Sequence, residues 1–195
     1  MHRLIAAWVF VAALLDAGAA VAQDTVAEKM PTCLACHGES GTSQNENVPS
    51  LGAQNSQYAL IQLFMFREGL RTADPMNDLM KGVADADLQA FADAIAKIPA
   101  ARAAPMSAGS GDAQRLAHGQ VLAGQNHCNI CHRADFSGQE NVPRLAGQRE
   151  DYLLKTLRDY KSGARHGYDS SMADVVQPMN DVDFVDLAYY IARAK

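Results

Sequence analysis

Cys33-Leu34-Ala35-Cys36-His37 and Cys128-Asn129-Ile130-Cys131-His132 are the stretches on which the reading of this chain turns. Between them they use all four cysteines of the protein. C-x-x-C-H is the attachment signature of c-type haem. Each thiolate adds to one vinyl group, and the two-residue gap matches the vinyl separation on a turn of helix. The adjacent histidine then faces the iron as the proximal axial nitrogen. Two motifs with no cysteine left over predict two covalently bound haem c groups, one on Cys33 and Cys36, the other on Cys128 and Cys131, with His37 and His132 as iron ligands. Rival uses of paired cysteines fit less well. Disulfides have no need of a histidine after each pair. A zinc site would want its second pair roughly 15–20 residues on, whereas 91 residues separate Cys36 from Cys128.

The N-terminus points to export. Met1-His2-Arg3 is a short positive region, Leu4 to Leu15 an apolar one, and Ala20-Val21-Ala22 an A-x-A cleavage site. Residues 1–22 therefore read as a secretory signal peptide, with a mature chain from Gln23. Twelve apolar residues ended by Asp16 are too few for a membrane anchor, which needs roughly 20, so no transmembrane segment is expected in the mature chain. No cysteine lies near the cleavage site to carry a lipid. The expected location is periplasmic, where c-type haem is attached.

The mature chain repeats itself, which predicts two small domains of one kind. Glu46-Asn47-Val48-Pro49-Ser50-Leu51 recurs as Glu140-Asn141-Val142-Pro143-Arg144-Leu145. Gln54 and Tyr58 recur as Gln148 and Tyr152, and Arg67, Gly69 and Arg71 as Lys161, Gly163 and Arg165. Residues 99–111, rich in Ala, Pro, Ser and Gly, read as a linker between a domain over 23–98 and another over 112–195. Each copy shows one helical order. A helix leads into the motif, short at Thr25–Met30 and clearer at Ala113–Leu122. A middle helix spans about Gln54 to Gly69 in one copy and Glu150 to Gly163 in the other. A last helix carries Leu88, Phe91 and Ile95, matched by Phe184, Leu187 and Ile191. Asn180 with Asp183 is a candidate capping pair. No alternating strand pattern occurs, so the expected fold class is all-α.

The iron's other axial position separates an electron carrier from an oxygen or peroxide enzyme. Met76 lies twelve residues before Leu88, and Met172 twelve before Phe184, its counterpart. No other methionine pair keeps this register, so Met76 and Met172 are the expected distal ligands. Met65, Met80 and Met179 are read as core residues, since Met fills irregular apolar gaps. His118, His127 and His166 compete as ligands but read as surface histidines. Pro49 and Pro143 follow each motif at similar distances, and a proline carbonyl accepting from the imidazole would orient it and raise its basicity. Arg67 with Lys161, and Arg71 with Arg165, are candidates to balance haem propionates, the alternative being ordinary solvated charge.

These residues match a family. The two C-x-x-C-H motifs, the repeated V-P-x-L segment ending in Leu145-Ala146-Gly147-Gln148, the helix after it and a late Met before an Asp-rich helix start resemble the dihaem cytochromes c4. The resemblance covers nearly the whole mature chain and implies two tandem class I cytochrome c domains, pseudo-twofold related, with His/Met ligation and electron transfer in the periplasm. It also implies that the carbonyls of Pro49 and Pro143 bond the proximal histidines. The first copy departs from the pattern, for Leu51-Gly52-Ala53-Gln54 reverses the family's Ala-Gly order.

The expected role is electron transfer rather than catalysis, because His and Met together leave the iron no open site. The expected partners are redox proteins, membrane complexes among them: a carrier between a quinol-oxidising complex and a terminal oxidase, or alternatively a cytochrome subunit fed by a periplasmic dehydrogenase such as a flavocytochrome. The net charge of −5 gives nucleic acid no basic surface. Charge is unevenly divided. Residues 23–98 carry five basic and ten acidic side chains, a balance of −5, and residues 112–195 carry ten and eleven, a balance of −1. Such a difference suits docking to two different partners.

Overall fold

The computed structural model describes residues 26–100, 112–168 and 170–194. The expected signal peptide and residues 101–111 of the expected linker lie outside them. Among the described residues there is no β-strand, only one isolated bridge between Gln139 and Val142. Helix α1 covers 26–37. The others are α2 (Ser56–Arg67), α3 (Met76–Met80), α4 (Asp85–Lys97), α5 (Ala113–Gln125), α6 (Cys128–His132), α7 (Glu150–Ser162), α8 (Ser171–Val176) and α9 (Asp181–Ala192).

Two separate apolar cores form, one in each half of the chain. In the first, α2 packs on α4 through Leu63, Phe66, Leu88, Phe91 and Ile95, with Val26 and Met30 of α1 against them. In the second, α9 is sandwiched by α5 and α7, and its Phe184, Leu187 and Ile191 meet Leu122, Leu153 and Leu157. Met65, Met80 and Met179 are all buried. The two halves repeat one helical plan.

Local chemistry sets the helix ends. The Asp112 carboxylate accepts from the backbone N–H groups of Gln114 and Arg115, starting α5. Asn180 and Asp183 form a reciprocal capping box at α9. Gly163 ends α7 in the left-handed region at φ 76°, which costs a residue without Cβ little. Two features depart from the helical reading of the sequence. Helix α1 does not stop at Met30 but runs through Pro31 and the first motif to His37. Val26 and Met30 of this helix pack, partly buried, against the first core, and Pro31 removes one of its backbone bonds. In the second half the entry helix and motif are two helices, α5 and α6, broken at His127, whose φ is 55°.

Gly119 fixes how α5 crosses α9. A Cβ there would lie 2.3 Å from the Asp186 carbonyl oxygen and 2.5 Å from Tyr190 Cβ. The Arg115 guanidinium straps the same crossing to the Asp186 carboxylate at 3.0 Å.

The halves meet through reciprocal hydrogen bonds. The Gln54 amide donates to the Arg144 carbonyl (3.1 Å) and accepts from its N–H (2.7 Å). The Gln148 amide does the same to Ser50, at 2.9 and 2.8 Å. Because Gln54 matches Gln148 and Ser50 matches Arg144 in the repeat, the contact is an isologous one made within a single chain. Its edge carries Asp151, buried, whose carboxylate accepts from Asn47 N–H at 2.9 Å and from the Arg149 guanidinium at 2.8 Å.

Candidate haem sites

Each half buries the histidine of its motif, while Cys36 and Cys131 stay exposed. Cys33 and Cys36 sit on the last turns of α1, and Cys128 and Cys131 on α6; none of the four is in a disulfide. They line one continuous cavity of about 540 Å³ that reaches through both halves. His37 and His132 line it too, as do Met76 at the start of α3 and Met172 in α8. The structure thus brings both motifs, both histidines and both methionines to one space. The short helices α3 and α8 carry these methionines.

The imidazoles are held from behind. His37 Nδ1 lies 2.7 Å from the Pro49 carbonyl oxygen, and His132 Nδ1 2.9 Å from that of Pro143. A carbonyl can only accept, so each Nδ1 carries the proton, which leaves Nε2 with its lone pair free for a metal. Burial pushes both histidines below their ordinary pKa, more than the carbonyl bonds lift them. Burial thus favours the neutral imidazole that ligation requires. Gly138 makes room for the second of these loops: at φ 71° its missing Cβ would fall 2.4 Å from the Pro143 carbonyl carbon. Burial also raises the Cys33 and Cys128 thiols.

Where the halves join, the cavity is lined by Tyr58, Gln62, Arg71, Tyr152 and Arg165. Arg165 is buried and donates to the Tyr58 hydroxyl at 2.9 Å, while Arg71 donates to the Tyr152 hydroxyl at 3.1 Å. Burial alone would raise the Tyr152 hydroxyl, but the two guanidiniums beside it bring it down to about 7. Arg165 Nε has no hydrogen-bond partner. A buried donor of a guanidinium left without a partner is costly and calls for an anion. Of the four cationic candidates the structure separates two pairs. Arg71 and Arg165 face the cavity. Arg67 and Lys161 do not; each ties its helix to a loop carbonyl, Arg67 to Val83 at 2.8 Å and Lys161 to Met179. Sequence reasoning treated the four alike because all recur. It noted Gln54 and Gln148 as recurring too, but gave them no role, since their partners lie 90 and 98 residues away. The remaining histidines differ. His118 is surface-exposed against Asp186 at 2.8 Å, His166 is exposed, and His127 borders the cavity mouth beside Cys128.

These residues fit haem. Cysteine pairs, buried imidazoles, methionine thioethers and an arginine pair line one continuous cavity. No three of His, Cys, Asp and Glu gather as a metal-holding group among the described residues, which leaves the C-x-x-C-H segments without a zinc-type arrangement. Fold and site together define a two-domain c-type cytochrome.

Comparison with known proteins agrees. The cytochrome c family model matches residues 116–195. Cytochrome c4 of Pseudomonas aeruginosa is 30% identical over 174 residues, covering 84% of each chain. Reduced recombinant cytochrome c4 from Pseudomonas stutzeri superposes with a TM-score of 0.75 at 26% identity, over 91% of this chain and 98% of that one. The thiosulfate dehydrogenase of Marichromatium purpuratum matches with a TM-score of 0.70 at 25% identity, over 82% of this chain but 36% of that one. The chain belongs to the cytochrome c4 family, and its cofactor is covalently bound haem c, two groups per chain.

Proposed function

We propose that this is a periplasmic electron shuttle whose two haems are each closed by histidine and methionine. Cys33 and Cys36 anchor the first, with His37 and Met76 on its iron; Cys128 and Cys131 anchor the second, with His132 and Met172. The observation that carries the reading is the repeated pairing, in one cavity, of an imidazole fixed through Nδ1 to a proline carbonyl with a methionine in matching register. When bound, haem supplies a one-electron centre whose potential rises with thioether ligation and burial. The chain's own residues do the rest. The Pro49 and Pro143 carbonyls orient the imidazoles. Met76 and Met172 close the position a substrate would need. Arg71 and Arg165 offset carboxylate charge where the halves meet. The packed cores hold these groups still between redox states, and two centres in one chain allow electrons to pass from one half to the other.

The expected route runs from a quinol-oxidising complex to a terminal oxidase, with the acidic first half and the near-neutral second half facing different partners. Among the described residues no helix is long and apolar enough to cross a membrane. The test is cell fractionation with N-terminal sequencing, followed by stopped-flow mixing of the purified protein with each membrane complex. A periplasmic chain from Gln23 that both complexes turn over, with different salt slopes, is the expected result. A second reading has its own support in the thiosulfate dehydrogenase match, namely an acceptor subunit for a periplasmic dehydrogenase. Purification of the chain in stable complex with such an enzyme, without exchange with the membrane complexes, would replace the shuttle by that reading.

A further inference from the structure

We infer that each half sets the axial histidine of the other: Gln148 tunes the first haem through His37, and Gln54 tunes the second through His132. The inference rests on the axial roles proposed above.

The connection is one peptide group long. Pro49 C=O, which receives His37 Nδ1–H at 2.7 Å, belongs to the same peptide unit as Ser50 N–H, which donates to Gln148 Oε1 at 2.8 Å. In the other half, Pro143 C=O receives His132 at 2.9 Å, and the N–H of the same unit, on Arg144, donates to Gln54 Oε1 at 2.7 Å. Each imidazole is therefore the head of a chain, N–H to O=C–N–H to O=C, that ends on the other domain. The amide orientation is forced. Oε1 of Gln148 also accepts from Arg149 N–H at 2.9 Å, and Oε1 of Gln54 from Asn55 N–H at 3.0 Å. A flipped amide would set an NH₂ group against two donors in both places. Both glutamines are buried, at 8% and 7% exposure, where such chains polarise most.

The sign follows. An acceptor on the peptide N–H moves electron density onto its carbonyl oxygen and strengthens the bond from the imidazole, in a cooperative gain of about 10–30% per bond. The imidazole gains anionic character, becomes the better donor to iron and favours the ferric state. Removing Gln148 Oε1 thus raises the potential of the haem at Cys33–His37, and removing Gln54 Oε1 raises that of the haem at Cys128–His132. A glutamine that merely held the interface together would have no reason to act across it selectively.

The experiment is a spectroelectrochemical titration of the full dihaem protein, unmutated and as Gln148→Met and Gln54→Met, with each haem identified by its own spectrum. Gln148→Met is expected to shift the redox equilibrium of the first haem about threefold toward reduction, ~28 mV at 59 mV per tenfold for one electron, and to leave the second within a third of that. Gln54→Met is expected to give the mirror image. The inference is overturned if a variant moves only its own half's haem, moves both equally, or moves neither. Because the variants are read independently, a single well-folded one decides the matter. Failure of the underlying ligation would show separately, as the absence of two low-spin haems in the unmutated protein.

Discussion

Gly119→Ala should destabilise this protein although alanine is the better helix former. On propensity alone the change would favour α5 by about 1 kcal/mol. Against that stands the crossing with α9, where the new Cβ would meet the Asp186 carbonyl oxygen at 2.3 Å, its carbon at 3.0 Å and Tyr190 Cβ at 2.5 Å. Two of these three are backbone atoms, so no rotamer change relieves the clash. The helices must part by about 1 Å, the gap between 2.3 Å and ordinary contact at 3.4 Å. That parting loosens Leu122 and Ala123 against Phe184 and Leu187, and stretches the Arg115–Asp186 bond. Overpacking of this kind costs up to about 3 kcal/mol, and the net loss should be about 2 kcal/mol. Gly124 is the control: it lies on the same helix with nothing within 4 Å of its would-be Cβ, so Gly124→Ala should gain ~0.5 kcal/mol. Urea unfolding of the haem-loaded protein, followed in the haem absorbance, reports both as midpoint shifts. Because α5 feeds α6 and Cys128, the absorbance of the second haem should change first in Gly119→Ala. Equal stabilities for the two variants would refute the claim that backbone contact at this crossing positions the second site.

Asp151→Asn should cost roughly 2 kcal/mol at neutral pH, by weakening the charge-assisted bonds from Arg149 in the same half and from Asn47 N–H across the junction. Burial would raise the Asp151 carboxyl, but the Arg149 guanidinium and the two backbone N–H bonds hold it below the usual carboxylate range. A lowered folded-state pKa means that its stabilisation is complete above the unfolded value near 3.9 and is lost as pH falls through the folded one. The difference between parent and variant, measured by urea midpoints, should accordingly shrink below pH 4, and a constant difference would contradict this. Asn180→Ala removes one side of the capping box on α9 and should cost about 1 kcal/mol. Its effect, followed through each haem's absorbance, should appear in the second half alone.

The sequence carried the cofactor, the duplication and the helical order because each depends on short-range pattern. C-x-x-C-H is local, and the spacing of Leu88, Phe91 and Ile95 is one face of one helix. The methionine register was legible for a different reason, since two copies of a unit act as a control on each other. The structure added what depends on docking. Whether Arg71 or Arg67 faces the cavity turns on where α2 ends relative to the partner half, which no window of residues encodes. Gln54 and Gln148 were visible as a recurrence, yet their partners are set only when the two halves meet. Helix α1 shows the opposite failure of local rules, for the entry helix reads as ending at Met30 and in the structure runs on through Pro31 to His37.

The central claim is that Met76 and Met172 complete two separate His-ligated irons. A spectroscopic redox titration of the purified protein and of Met76→Ala and Met172→Ala tests it directly. The account predicts two low-spin steps in the parent, with the red-region band of methionine-ligated ferric haem. Met76→Ala should abolish that band for one haem and Met172→Ala for the other, each variant leaving the remaining centre unchanged. A parent haem that is high-spin and takes up added cyanide readily, or a variant that keeps both bands, would contradict it.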